Sequence, residues 1–390
     1  MTTHAAAGSE LPLPSGWRWV RAKFLCDIET GTADTVDADP DGDYPFFVRS
    51  DIVERANTFT FDTEAVLTAG DGAGVGRVFH HFAGRFLAHQ RVYVCSRFRG
   101  CLPRYYFYYF STLFTTLVLA GTAKSTVESL RRPMLTDFAV AVPHPDDQRR
   151  IVGFLDQETA KIDALIAKQE HLIATLLERR RANSLSRTME PAPEWARTRI
   201  GLALTKLERA PSDDAPVVTA YRDGQVTTRD SRREDGYTLS FTENNYQGVQ
   251  QGDVVVHALD GFAGAVGVAE HSGKCTPVYH VCAPRTRNSA EYLALHIRML
   301  GESGFLTAYA WSVRQRSVDY RNWSLFASLP VVLPPSTDQS RYASEVQVAN
   351  AKVDALVAKT RELIEVMKER RAALISAAVT GQLDVDSYAD

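Results

Sequence analysis

Ala160-Lys161-Ile162-Asp163-Ala164-Leu165-Ile166-Ala167-Lys168 recurs later in the chain as Ala351-Lys352-Val353-Asp354-Ala355-Leu356-Val357-Ala358-Lys359, an offset of 191 residues. The same offset pairs Asp147-Gln148 with Asp338-Gln339, Glu178-Arg179-Arg180 with Glu369-Arg370-Arg371, and Val142-Pro143 with Leu333-Pro334. One register held over so many positions marks an internal duplication, which decides the architecture before any single element is assigned.

Both copies read as long helices. In the first, Leu155, Ile162, Leu165, Leu172 and Leu176 fall on one stripe, widened by Ile166 and Ile173; in the second the stripe is Val346, Val353, Leu356, Leu363 and Met367. Steps of three and four make a heptad-like seam suited to helices packing side by side. Gln169 and Thr360 interrupt it at matching places, where a polar residue can fix register at some cost in stability. From Asp146 to about Arg187 a straight helix would reach ~60 Å. A hairpin that merely fills a core is the plain alternative. Two equivalent helices, one after each half, fit better as spacers packed on each other.

The regions before the helices differ in character, being rich in Gly, Pro, Thr, Val and aromatics. Arg91-Val92-Tyr93-Val94-Cys95 and Asp253-Val254-Val255-Val256 read as strands. Each region opens on tryptophan (Trp17 and Trp19; Trp195), and Pro191-Ala192-Pro193 marks the linker after the first helix. The expected fold is α+β: two mixed α/β domains in pseudo-twofold repeat, separated by two long antiparallel spacer helices packed as a coiled coil. The expected segments are a first domain 1–145, a first helix 146–190, a second domain 191–335, a second helix 336–380 and a tail 381–390.

Composition narrows the function. The 390 residues are 45% hydrophobic, enough for a real core in each half. Cys26, Cys95, Cys101, Cys275 and Cys282 form no CxxC pair and have no zinc spacing, so they read as thiols of a reducing compartment. The start, Met1-Thr2-Thr3-His4, shows no signal peptide, and the most apolar run, Leu113 to Ala120, is far short of the ~20 residues of a membrane span. A cytoplasmic location with no membrane partner is expected.

The formal net charge is −3, so any nucleic-acid reading must rest on where the charge sits. Acids, including Asp34, Asp37, Asp39, Asp41 and Asp43, are in surplus up to Asp71. From Gly72 to Thr136 the only acid is Glu128, against Arg77, Arg85, Arg91, Arg97, Arg99, Arg104, Lys124, Arg131 and Arg132. Tyr105, Tyr106, Tyr108 and Tyr109 are interleaved, and Arg with Tyr is a pairing that contacts phosphates and bases. In the second region Arg285, Arg287, Arg314, Arg316 and Arg321 outnumber Glu291, Glu302 and Asp319. A solvated face is the plain reading of such a run, but the segregation within one domain favours binding.

These features resemble the specificity (S) subunits of Type I restriction-modification systems over nearly the whole chain. Asp147-Gln148-Arg149-Arg150-Ile151-Val152-Gly153-Phe154-Leu155-Asp156 and Ile162 to Ile166 look like that family's helix, and Glu369 to Gly381 is similar to its usual ending. Asp71-Gly72-Ala73-Gly74-Val75-Gly76 and Asp260-Gly261-Phe262-Ala263-Gly264-Ala265-Val266-Gly267 look like the glycine-rich strand pair of its target-recognition domains. The resemblance implies that each mixed domain reads one half of a split double-stranded DNA target while the helices set the gap. It also implies that two methyltransferase (M) subunits dock on the helices and that restriction (R) subunits can join. This chain would bind no cofactor; S-adenosylmethionine, ATP and Mg would belong to the partners. The loops before the two exits differ, Gly121 to Ser125 against Ser312 to Arg316, so base-contacting residues transfer poorly.

No catalytic site is legible. Gly72-Ala73-Gly74-Val75-Gly76-Arg77 fits neither GxxxxGK[ST] nor GxGxxG. Pro334-Pro335 has no Asn or Asp placed before it in the adenine-methyltransferase pattern. His80, His81 and His89 lack a completing ligand, and no GxSxG occurs. The expected DNA contacts are Arg77, Arg97, Arg99, Arg104, Lys124 and Ser125 in the first domain and Arg314, Gln315 and Arg316 in the second. Two rival functions stand beside this one: a coiled-coil scaffold without DNA specificity, and a stand-alone DNA-modifying enzyme with an unrecognised motif. Lengthening the seam of either helix is expected to change the gap in the target and leave both half-sites alone. The methylated motif produced by such a variant checks this, and an unchanged gap would remove the spacer role.

Overall fold

The computed structural model describes residues 13–116, 129–189, 192–232, 245–308, 313–314 and 317–388. The chain divides into two compact units, residues 1–170 with 361–390, and residues 171–360. The division cuts through both long helices. Each unit holds the beginning of the helix that follows its own mixed region and the end of the other.

In the first unit the elements are β1 (Arg18–Arg21), α1 (Ala22–Leu25), β2 (Asp27–Thr30), β3 (Tyr44–Phe47), β4 (Glu54–Ala56), β5 (Phe61–Ala69), β6 (Phe79–Ala88), β7 (Val92–Ser96), α2 (Pro103–Phe114), α3 (Arg132–Thr136), β8 (Ala139–Val142) and the first part of α4 (Pro145–Met189). A six-stranded sheet has the order β2-β7-β5-β6-β3-β4, antiparallel except where β3 lies beside β6. β1 and β8 form a separate antiparallel ribbon that delivers the chain into α4.

Helix α2 was not legible in the sequence, and it overturns one reading. Pro103 opens it, and Tyr105, Tyr106, Tyr109, Phe110 and Phe114 are buried in the main core. Tyr108 is buried too, so the four tyrosines expected among the basic residues do not face a ligand. Spacings of one, four and five residues put them on one side of a 3.6-residue helix, where burying their rings stabilises the core. Two of the hydroxyls are used internally: Tyr105 donates to the Ala141 carbonyl at 2.7 Å and Tyr108 to Asp156 at 2.6 Å.

The second unit holds the end of α4, then β9 (Ala196–Arg199), α5 (Ile200–Ala203), β10 (Leu204–Lys206), β11 (Val218–Ala220), β12 (Val226–Thr228), β13 (Gln247–Val249), β14 (Val254–His257), β15 (Val266–Val268), β16 (Gly273–Cys275), β17 (Tyr279–Pro284), α6 (Ala290–Glu302), α7 (Phe305–Ala308), β18 (Val313–Arg314), β19 (Ser317–Val318), α8 (Trp323–Ser328), β20 (Pro330–Leu333) and the start of α9 (Ser336–Val379). Its central sheet has four strands in the order β10-β17-β14-β15, with two-stranded pairs β11-β12, β13-β16 and β18-β19. β9 with β20 repeats the ribbon of β1 with β8. α6, capped by the Ser289 side chain, repeats α2.

The duplication is physical as well as textual. Gln148 and Gln339, each the fourth residue of its long helix, are both fully buried. Gln148 accepts from the Leu102 amide at 2.7 Å and donates to the Gly100 and Pro143 carbonyls. Gln339 accepts from the Ser289 amide at 2.8 Å and donates to Asn288 and to the Pro334 carbonyl. The helix ends are held similarly: the Tyr105 hydroxyl shares its one proton between the Ala141 carbonyl and the Val379 carbonyl at 3.1 Å, and His296 Nδ1 lies 3.0 Å from the Thr188 carbonyl. Beyond α9, Gly381 takes the left-handed conformation of a helix C-terminus and packs on Pro14 and Trp17. Leu383 and Val385 join the same core, so the expected tail is part of the first unit.

In both units the long helices pair antiparallel, through Asp163–Arg371 in the first and Arg180–Asp354 in the second. These ion pairs are repeat equivalents. Leu155 and Ile162 are buried, Gln169, Leu176, Val353 and Met367 half-buried, and Thr360 buried with its hydroxyl on the Leu356 carbonyl. Leu165, Leu172, Leu356 and Leu363 are not seam residues, being 45%, 39%, 46% and 43% exposed. Ile166, Ile173, Val357 and Ile364 point inward instead. The reason is helical phase. A straight helix drifts ~20° per heptad, and an 11-residue period follows it more closely. The inward line steps by eleven, through Ile162, Ile173 and Ser184, and through Val353, Ile364 and Ile375. Among the described residues no helix is long and apolar enough to cross a membrane.

His296 supplies a pH test. Burial pushes its imidazole down to about 4, and the neutral ring donates from Nδ1 to Thr188 while Nε2 accepts from the Val332 amide at 3.3 Å. Between that value and the ordinary 6.5 the unfolded chain binds the proton that the folded chain refuses, so stability rises with pH. The contribution is complete above pH 6.5 and is lost as pH falls toward 4, about 3 kcal/mol in all. Denaturant midpoints from pH 7 to pH 4.5 should show this loss in the native chain, and His296→Gln should flatten that part of the profile.

Candidate nucleic-acid interface

The two glycine-rich stretches are turns at corresponding places. One joins β5 to β6 and the other β14 to β15, each beginning with a short 3-10 turn, Gly72–Gly74 and Gly261–Ala263. Close backbone approach demands glycine here. A Cβ on Gly74 would lie 2.2 Å from the Arg49 carbonyl, and one on Gly264, at φ +94°, would lie 2.5 Å from the Arg222 carbonyl. The glycines of the turns therefore serve close backbone packing.

Each turn anchors the segment that precedes the exit strand. In the first unit the Thr115 hydroxyl donates to the Gly76 carbonyl at 2.8 Å, and the Leu130 amide donates to the Gly70 carbonyl at 2.7 Å. Asp71 also bridges to Ser129. In the second unit the Tyr320 amide donates to the Ala258 carbonyl at 2.9 Å, and its hydroxyl to the Leu306 carbonyl at 2.7 Å. The candidates Lys124 and Ser125 lie outside the described residues. So do Gln315 and Arg316, while Arg314 is described only as backbone, paired with Ser317 in the β18-β19 hairpin.

The basic run of the first unit does not form one patch. Arg91 precedes β7 and Arg97 follows it, so they stand about 20 Å apart at ~3.3 Å per residue. At the far end Arg97 donates to Asp27 at 2.6 Å and to Glu29 at 3.0 Å, and Arg99 donates to Asp27 at 2.5 Å. These guanidinium groups hold the Asp27 carboxyl below its usual range, and the carboxylate raises Arg97 in turn. Arg104 is committed to the joint between α2 and α4. It donates to Asp156 at 2.9 Å and to the Tyr108 hydroxyl, lies 3.4 Å from His81, and stacks over the rings of Phe107 and Tyr108. That network makes Arg104 a packing residue.

The glycine-turn end differs. Arg77 is exposed there with no side-chain partner among the described residues. Beside it Asp71 receives Arg49 at 3.1 Å and also pairs with Arg91, and both arginines lower its carboxyl even though burial opposes this. In the second unit Arg222 pairs with Asp260 at 3.1 Å. Arg49 and Arg222 were missed because they lie far in sequence from the turns they serve. The only legible signal was the aspartate opening each turn.

The three histidines are engaged separately: His80 at the Ser50 carbonyl, His81 at Glu64, and His89 accepting from the Arg91 amide. Among the described residues no group of three or more His, Cys, Asp or Glu is placed to hold a metal. The five cysteines are buried and free.

A family model, the Type I restriction modification DNA specificity domain, matches residues 14–174. The chain is 33% identical over 193 residues to the Type I restriction enzyme EcoDI specificity subunit of Escherichia coli. Over these segments the chain is similar to Type I specificity subunits, and it aligns with less than half of the length of the curated relative. The EcoDI alignment covers 47% of this chain and 40% of that subunit. Two solved structures share the fold over 96% of this chain. One, from work on complex assembly and conformational transition of the type I R-M system, has TM-score 0.71 at 16% identity and is covered completely. The other, the HsdS subunit of Thermoanaerobacter tengcongensis, has TM-score 0.52 at 14% identity and is covered to 99%.

The two ends of the sheet should separate in a salt titration. Arg77→Ala is expected to reduce the slope of log affinity against log salt by about one, whereas Arg97→Ala, already compensated by Asp27 and Glu29, should leave it unchanged. Anisotropy of a labelled duplex between 50 and 200 mM salt is the measurement.

Proposed function

We propose that this chain is the non-catalytic, sequence-reading subunit of a Type I restriction-modification complex, each mixed region reading one half of a bipartite DNA target. The observation that carries the proposal is the doubled construction. Two different mixed regions present a glycine turn with an arginine at its lip, and each is bound by a buried glutamine to the start of an equivalent long helix. A dimeric reader places half-sites about one helical turn of DNA apart by using two identical chains. A duplicated single chain can do so with two heads that read different sequences.

The paired helices set the gap and receive two methyltransferase subunits, with restriction subunits as further partners. S-adenosylmethionine, ATP and Mg are then carried by those partners. Leu165, Leu172, Leu356 and Leu363 each give the helices an exposed apolar side chain beyond the seam, which supports the docking role. A scaffold without DNA specificity would show no steep loss of DNA affinity with salt. A stand-alone enzyme would turn over DNA as the purified single chain.

The test is co-expression with a Type I methyltransferase subunit of the same host, followed by long-read sequencing of the DNA for methylated bases. A methylated adenine in a split motif that vanishes when this chain is deleted is the expected result. A stable complex that leaves the DNA unmethylated would overturn the proposal in favour of a scaffold.

A further inference from the structure

Arg49 and Arg222 occupy the same physical position in their units without being repeat equivalents in sequence. They are 173 residues apart, whereas the aspartates they pair with, Asp71 and Asp260, are 189 apart. Each arginine is fixed twice. Its carbonyl lies against the glycine of its turn, Gly74 or Gly264, and its guanidinium pairs with the aspartate that opens the turn. Two different chain paths thus deliver the same assembly to the same lip.

Stability is a poor reason for the Arg222–Asp260 pair, because exposed ion pairs stabilise little. The side chains of Arg49 and Arg222 are 45% and 67% exposed, so their heads reach solvent. A guanidinium has five N–H donors in a fixed fork. The bond to the aspartate uses Nη1 of Arg49 and Nη2 of Arg222, so each keeps donors for an acceptor beyond the turn. Holding the head in advance lowers the ordering cost when a ligand arrives. The forked donor matches guanine O6 and N7, or two phosphate oxygens. An aspartate at a DNA-facing lip would repel phosphate, so its place there is explained by the arginine it aims.

Resting on the DNA-reading function proposed above, we infer that Arg49 and Arg222 are the DNA-contacting arms of the first and second units, with Asp71 and Asp260 as their positioning residues. In the first unit Arg91 shares Asp71, leaving one positive charge in excess at that lip. In the second the pair Arg222–Asp260 is balanced. The first arm is therefore the more salt-sensitive of the two.

The experiment is selection of a random duplex library by the purified full chain, comparing wild type with Arg49→Ala, Arg49→Lys, Asp71→Asn, Arg222→Ala and Asp260→Asn, with the melting temperature of each recorded. The expected result is a bipartite motif for wild type. Arg49→Ala should lose about tenfold or more of the enrichment in one half-site and Arg222→Ala the same in the other, with melting temperatures unchanged. The asparagine variants should weaken the same half as their arginine, because the carboxylate acts only through it. If Arg49→Lys retains the motif that Arg49→Ala loses, the contact is to phosphate, and the arm stands. If both alanine variants keep both half-sites at wild-type enrichment, or lose both halves together with a lowered melting temperature, the pairs are staples of the turn and the inference is overturned. If wild type enriches no motif, the DNA-reading function fails first and the arms fall with it.

Discussion

The construction depends on two buried carboxamides. A glutamine side chain carries acceptor and donors in one plane, and Gln148 and Gln339 use both. Each accepts the amide at the N-terminal cap of the aromatic helix and donates to the carbonyl of the proline that ends the exit ribbon. The cap amide has no intrahelical partner and the proline carbonyl lies beyond the ribbon's ladder, so two separate shortages are met at one point. Glutamate would supply no donors and would bury a charge; leucine would leave the amide and carbonyls unsatisfied. The rigidity matters because the element it roots is long. A helix of 45 residues reaches about 68 Å, so a tilt of about 10° at its base would move its far end by roughly 12 Å.

The other end of each helix is held by the same principle with different chemistry. The final carbonyls are the orphans there, and a buried donor from the facing domain helix meets one of them: Tyr105 for Val379, and His296 for Thr188. The two donors are repeat equivalents, 191 residues apart, as are the carbonyls they meet, so the duplication kept the interaction while changing the residue. Tyrosine stays protonated across the physiological range, and its burial only strengthens that. Histidine can serve only while neutral, because protonation would remove the acceptor used by the Val332 amide. One clamp is insensitive to pH and the other is not.

How much of this the sequence disclosed follows from the range of each interaction. The duplication, the two long helices and their flanking prolines were legible because they repeat within one register. The helical phase was not. Adjacent pairs such as Leu165-Ile166 and Leu356-Val357 satisfy either of two stripes, and only the buried anchors at Leu155 and Val346 decide between them. Helix α2 was hidden for a related reason: Tyr105 to Tyr109 between arginines reads as a ligand face until Asp156, Ala141 and Val379, all distant in sequence, claim the hydroxyls. The basic run was a true count but a false patch, since β7 carries its members to opposite ends of a strand. The pairs Arg49–Asp71 and Arg222–Asp260 depend on which loops meet, which no local pattern encodes.

The same pairings bear on the modest net charge, −3 over the whole chain. A face of uncompensated guanidinium groups would attract any duplex through its phosphates, independent of sequence. Specificity is a difference of affinities, improved as effectively by lowering the wrong interaction as by raising the right one. Asp27 beneath Arg97 and Arg99, and Asp71 between Arg49 and Arg91, subtract from the sequence-independent attraction. A base edge offering a matched pair of acceptors still gains the forked bonds that a loosely placed phosphate does not. Compensating carboxylates therefore suit a reader whose target is rare among many competing sites, and they make total charge a poor guide to such a protein.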